Sequence, residues 1–181
     1  MKKLAIFFPG AGYGMDCPLL YYTDFLYETN GFERIHLDYQ NILLNMELSL
    51  EDKQKQLRSY IWEQLEPVDF SSYDEIVFIS KSIGCEEAGR IVDFCKLFGS
   101  LNVDPVQIFL TPVAEALPYC GKNCRVVIGT HDKAYSLFHE HCNAHQIPLL
   151  AIAGGDHSLE ISGKPFESIE ALKQVLEFIH V

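Results

Sequence analysis

The chain has 181 residues, 48% of them hydrophobic and 22% charged, with a formal net charge of −11. That length fits one domain able to bury roughly 70% of the surface its unfolded chain exposes, and the composition excludes a disordered or low-complexity protein. The acidic balance, with no basic stripe anywhere, sets nucleic acid and anionic membrane aside as partners.

Short apolar runs rich in Ile, Val and Phe alternate with amphipathic segments, the pattern that builds a parallel sheet covered by helices. The first run, LAIFF, follows two lysines as the core of a signal peptide would. It stops at Phe8, before Pro9 and Gly10, and is too short for that role. The expected compartment is therefore the cytoplasm, where the six cysteines read as thiols rather than a disulfide framework. A helix is predicted over 18–29, then the run RIHL, then a helix over 50–66. Ser49 opens that second helix with Asp52 as its capping-box partner, and Leu50, Leu57, Ile61 and Leu65 mark its apolar face. EIVFIS and a helix over 83–98 follow, then VQIFL, RVVIG, a helix over 133–145, PLLAIA and a last helix over 166–180. EIVFIS, RVVIG and PLLAIA are near-continuous apolar runs, as strands buried on both faces should be. No linker or shift in composition divides the chain, and only TPVAEALPYCGKNC separates VQIFL from RVVIG. Residues 1–181 are read as a single α/β domain, a three-layer sandwich around a mostly parallel six-stranded sheet, with no inserted lid.

In such sheets ligands bind outside the carboxyl ends of the strands, so the residues directly after each run carry the functional signal. Ser82 lies in FISKSIG, with Ser80 two before it and Gly84 two after. A sharp strand-to-helix turn at this point would lift its hydroxyl above the sheet as a nucleophile, with small flanking residues letting the turn close. The pattern is S-x-S-x-G where G-x-S-x-G is usual, and the competing reading is a serine capping the next helix. A nucleophilic serine needs a base, and of seven histidines only His157, in GGDHSLE, combines a strand end with a glycine release. The base needs a carboxylate to orient it. Asp132, just past RVVIG, fits, its competing reading being a helix N-cap; Glu115 is the reserve acid, and Asp156 is too close in sequence to face its neighbour.

Ser82, Asp132 and His157, in that chain order and each after a separate parallel strand, follow the order of the α/β-hydrolase sheet. From LAIFFPG through GGDHSLE the sequence resembles the small members of that family, close in pattern to compact, lidless enzymes of dienelactone-hydrolase type. The resemblance implies that the first two strands of the full family sheet are absent, leaving six in the order 2-1-3-4-5-6. It assigns PGAGYGMD to the oxyanion loop, which in many relatives begins His-Gly where this chain has Pro9-Gly10. The backbone N–H of Ala11, with Gly12 as the alternative, would then join that of Ile83 in holding an oxyanion. The activity implied is hydrolysis of a small ester through an acyl-enzyme. Thioester, peptide or acyl-transfer chemistry on the same three residues stays open, as does a binding or scaffold protein that keeps the fold.

Around this centre, Lys81 is read either as facing an anionic substrate or as solvated or packed on a helix. Tyr13, Asp16, Tyr21 and Tyr22 would line the pocket mouth or pack the first helix. No cofactor is expected: GAGYG fails as a dinucleotide turn because the third glycine falls on Met15, and no Gly-Lys-Ser/Thr is present. A zinc site from Cys120, Cys124, His139, His141, Cys142 and His145 is set aside, since the CxxxC spacing is loose and a second tight pair is lacking. The partner expected is a small-molecule substrate, with no metal.

Overall fold

A computed structural model of the chain describes residues 1–45 and 47–180, with Leu50 described by its backbone alone, so the apolar role expected of that side chain lies outside the described residues. Six strands form one sheet: β1 (Lys3–Phe8), β2 (Glu33–His36), β3 (Glu75–Lys81), β4 (Val106–Leu110), β5 (Cys124–Gly129) and β6 (Leu149–Ile152). All neighbours pair parallel, in the order β2-β1-β3-β4-β5-β6. The helices are α1 (Pro18–Thr29), α2 (Gln40–Leu44), α3 (Leu50–Leu65), α4 (Ile83–Leu97), α5 (Tyr135–His145) and α6 (Pro165–Ile179). Short 3-10 turns lie at Phe70–Ser72 and Ala114–Tyr119. None of the described helices is long and apolar enough to cross a membrane.

Because side chains alternate across a strand, the sheet sorts its own core. Leu4, Ile6, Phe8, Ile76 and Phe78 pack with Leu57, Ile61 and Leu65 of α3 and with Ala88, Ile91 and Val92 of α4. Phe109, Val126 and Ile128 extend the same face to Phe138 and Cys142 of α5. The alternate residues Ala5, Phe7, Val77, Ile79, Ile108 and Val127 pack on the other face with Leu20 and Tyr27 of α1 and Val175 and Ile179 of α6. Each fully buried side chain of this size contributes about 1.5–3 kcal/mol, so these two cores fix the register on which the strand ends depend.

Three expectations are corrected. PLLAIA is not buried on both faces: Leu149 and Leu150 are half-buried and Ala151 is exposed, because β6 is an edge strand with a neighbour on one side only. The helix expected from residue 133 begins at Tyr135, since Asp132 accepts the Ala134 N–H on its side chain and the Tyr135 N–H on its carbonyl, forming a turn first. Asp52 caps α3 differently from a capping box: Ser49 Oγ accepts the Asp52 N–H at 3.1 Å and donates to the Asp52 carboxylate at 2.6 Å. The carboxylate thus meets the serine hydroxyl rather than its backbone.

Candidate active site

Ser82 joins β3 to α4 with φ 57 and ψ −120, a conformation that costs an L-residue about 1–3 kcal/mol and persists only where its surroundings enforce it. Here they do. The Ser82 N–H donates to the Leu110 carbonyl at 3.0 Å and its own carbonyl accepts from the Cys85 N–H at 3.1 Å. A β-carbon at Gly84 would lie 2.3 Å from the Phe8 carbonyl oxygen, so only glycine lets α4 start this close to β1. Ser80 stands where glycine was expected, fully buried, its hydroxyl donating to the Ile108 carbonyl at 3.0 Å. The Ser82 side chain makes no capping bond to α4, which leaves the hydroxyl for the crevice.

That hydroxyl meets His157 Nε2 at 2.8 Å, and His157 Nδ1 meets Asp132 Oδ2 at 2.6 Å. The Asp132 side chain is 3% exposed. Burial would raise its pKa, but hydrogen bonds from His157 and from the Ala134 N–H outweigh burial and hold the carboxyl below the usual range. An ionised carboxylate only accepts, so the neutral imidazole carries its proton on Nδ1 and offers Nε2 to the serine. Asp132 is not the N-cap of α5, which is Ala134; one of its oxygens organises the turn before that helix and the other meets His157. Glu115 is exposed at the start of the Ala114–Tyr119 turn, away from this line.

The loop carrying His157 is built from glycines and one carboxylate. Gly129 packs on the Gly155 main chain so closely that a β-carbon would lie 2.1 Å from its carbonyl oxygen, while the His131 N–H donates to that same oxygen. Thr130 Oγ1 accepts the Gly154 N–H at 2.8 Å. Asp156 Oδ1 accepts the N–H groups of Ser158 and Glu160, closing the turn just past the histidine. Thr130 and Asp156 were not singled out for these tasks; a threonine at a strand end and an aspartate in a Gly-rich turn were the available signals.

Across the crevice, Gly10 and Tyr13 bond each other reciprocally around a tight turn in which Gly12 has φ +69. The N–H groups of Ala11 and Gly12 have no hydrogen-bond partner among the described residues, and that of Ile83, first in α4, has no intrahelical acceptor. The turn is braced from β2's far end, where the Tyr39 hydroxyl donates to the Pro9 carbonyl and the Gln40 amide to that of Gly10. Tyr13 accepts the Leu19 N–H on its hydroxyl and lines a cavity of about 600 Å³ with Leu19, Leu159, Ile161 and Leu172, beside the site rather than on it, since neither Ser82 nor His157 lines it, nor do Asp16, Tyr21 and Tyr22. Lys81 lies under this turn at 1% exposure, which takes it off the surface a substrate would meet. Its ammonium donates to the His157 carbonyl at 2.8 Å.

Among the described residues no three His, Cys, Asp or Glu side chains are grouped to hold a metal ion. Cys120, Cys124 and Cys142 are buried free thiols in the core under α5, and the His141 ring is bonded to the Cys120 carbonyl.

No protein-family model matches the chain, and no curated protein sequence matches it. Solved structures do. Alpha/beta hydrolase domain-containing protein 10 from mouse superposes with a TM-score of 0.62 at 12% identity, over 97% of this chain and 88% of that one. Dienelactone hydrolase from Anabaena variabilis gives 0.61 at 12% identity over 98% and 85%. Est1E from Butyrivibrio proteoclasticus, in a structure with ferulic acid bound, gives 0.60 at 12% identity over 99% and 90%. At such identities the likeness is one of architecture, and together with the strand order 2-1-3-4-5-6 it makes this an α/β-hydrolase fold.

Proposed function

We propose that residues 1–181 form a single serine-hydrolase domain that cleaves a small ester by acyl transfer through Ser82, His157 and Asp132. The observation that carries this reading is the unbroken line Asp132–His157–Ser82, with 2.6 Å and 2.8 Å between heavy atoms, ending on a serine held in a strained turn.

In the first half-reaction Ser82 Oγ attacks the substrate carbonyl carbon while its proton passes to His157 Nε2. The imidazolium so formed is stabilised by the buried Asp132 carboxylate. The developing oxyanion would meet the N–H groups of Ile83 and of Ala11 or Gly12, donors worth about 3 kcal/mol each in sites of this kind. As the tetrahedral intermediate collapses, the bond to the leaving oxygen breaks and His157 returns the proton to it. Water then attacks the acyl-enzyme, giving its proton to His157, and collapse frees the acid and restores the Ser82 hydroxyl. The six free cysteines, five of them buried, fit a reducing compartment such as the cytoplasm.

The test is covalent labelling by a fluorophosphonate together with turnover of short-chain p-nitrophenyl esters. Stoichiometric labelling is expected on Ser82, lost in Ser82→Ala, with turnover down by a factor on the order of 10⁶. Ester hydrolysis that survives Ser82→Ala, or folded protein that takes no label, overturns the reading. A panel of esters, thioesters and lactones then selects the substrate.

A further inference from the structure

Lys81 is a buried charge beside the reacting groups for which the acyl-transfer sequence has no use. It continues the strand face of Val77 and Ile79, the face covered by α1 and α6, and so runs beneath the loop that carries His157. An ammonium brings three donors and no acceptor, and burying one is unfavourable unless its bonds are worth keeping. A methionine or leucine would fill the same space without that cost. What the ammonium adds is a bond to the main-chain carbonyl of His157 itself, 76 residues away, and an attraction to the Tyr13 ring 5.0 Å from Nζ. On its Asp132 side the histidine loop is pinned by His131 and Thr130. On its serine side, among the described residues, the Lys81 bond is the one hydrogen bond from β3 to that loop.

We infer that Lys81 is a positioning residue: its charged ammonium ties the strand carrying the nucleophile to the main chain of the acid–base residue, and thereby sets the Ser82–His157 approach and the rate of turnover. This role rests on the serine-hydrolase reading of the same site. The ammonium bonds the His157 carbonyl and lies over the Tyr13 ring, and the ionisable groups whose charges act on it are Cys17 at the start of α1, Cys85 on α4, Asp132 after β5 and Asp156 after β6. Burial lowers the Lys81 pKa from its ordinary value to about 8, against the pull of Asp132 and Asp156 in the other direction. Burial pushes both Tyr13 and Cys85 up to about 12, so neither titrates in the same range. As pH rises through about 8 the ammonium loses its proton, the bond to His157 is no longer charge-assisted and the attraction to the Tyr13 ring goes.

The experiment follows kcat and KM for a p-nitrophenyl ester across about pH 6 to 10 in the wild type and in Lys81→Met. In the wild type, kcat is expected to fall on the alkaline side with a midpoint of about 8. Lys81→Met is expected to lower kcat about tenfold near neutrality, to change KM less than about twofold, and to abolish the alkaline fall. Full kcat in Lys81→Met, or an alkaline fall that survives it, overturns the proposal. A readout free of turnover separates this from failure of the hydrolase reading. The ring-nitrogen shifts of His157, followed by NMR in labelled protein, report its bond to Asp132; they are expected to move as the wild type passes about pH 8 and to show no such step there in Lys81→Met. Shifts identical in the two proteins at every pH overturn the positioning role even if no ester is hydrolysed. The wild-type titration needs no variant and reads the same coupling should the substitution disturb folding.

Discussion

The two halves of the site are held in different ways. Around Ser82 the constraints are steric and main-chain: glycine at 84 against the Phe8 carbonyl, glycine at 10 with its would-be β-carbon 3.2 Å from Ser82 Cβ, and the Ser82 N–H on Leu110. Around His157, whose side chain is 49% exposed beyond an edge strand, steric and main-chain constraints at Gly129, His131 and Gly155 are joined by side-chain hydrogen bonds from Thr130, Asp156 and Lys81. Sterics do not titrate and hydrogen bonds to charged groups do. The serine is therefore held by packing and main-chain bonds, while the histidine loop depends also on side chains, one of them the charged Lys81 ammonium.

The largest effect should come from breaking the steric half. In Gly84→Ala the new methyl would lie 2.3 Å from the Phe8 oxygen and 2.9 Å from that of Pro9, main-chain atoms that cannot rotate away. Either α4 withdraws from β1 or Ser82 leaves its strained conformation. We expect a loss of more than about 3 kcal/mol in urea unfolding, and loss of fluorophosphonate labelling in whatever folded protein remains. Native stability with full labelling would mean that the elbow has slack the contacts deny.

The steric half was also the more legible in the sequence. An apolar strand run, a serine and a glycine at fixed spacing are local signals, and the order Ser82, Asp132, His157 needed only residue types at strand ends. Ser82 does stand at the N-cap of α4, but its side chain makes no capping bond there; Asp132 lies two residues before the N-cap of α5 and divides its two oxygens between the turn and His157. What escaped was non-local. Edge position decided the burial of β6, and no pattern within PLLAIA encodes it. The tasks of Lys81, Tyr39 and Gln40 join residues 30 to 76 positions apart, so none could be read from its neighbours.

A smaller effect should come from loosening the histidine half without touching its reacting atoms. Asp156 Oδ1 accepts the Ser158 N–H at 2.8 Å and the Glu160 N–H at 3.0 Å, and Asp156→Ala leaves both donors to water. Since the residue is exposed, global stability should change by less than about 1 kcal/mol. The freed turn should let His157 drift, lowering kcat about tenfold. Asp156→Asn keeps an acceptor oxygen in place while removing the charge near Lys81 and should recover most of that loss; no recovery would mean that the charge, not the two hydrogen bonds, is what matters. Equal kcat in Asp156→Ala and wild type would mean that Thr130, His131 and Lys81 hold the loop unaided.

The smallest effect concerns Ser80, the one departure from the usual elbow pattern. Its side chain lies on the face covered by α4, where Cys85 Sγ donates to the Ser80 carbonyl at 3.2 Å and the Ser80 hydroxyl crosses to β4. The elbow angle is set elsewhere, by Gly10, Gly84 and Leu110, so the serine adds a cross-strand bond without deciding the turn. Ser80→Gly gives up that bond and adds backbone freedom to the unfolded chain, together about 1–2 kcal/mol of stability. Its kcat should stay within about twofold of wild type, because Ser82 keeps every contact that fixes its φ. A several-fold gain in kcat at reduced stability would instead mean that the Ser80–Ile108 bond holds the nucleophile back from its best approach to His157, so that even the steric half of the site answers to a hydrogen bond.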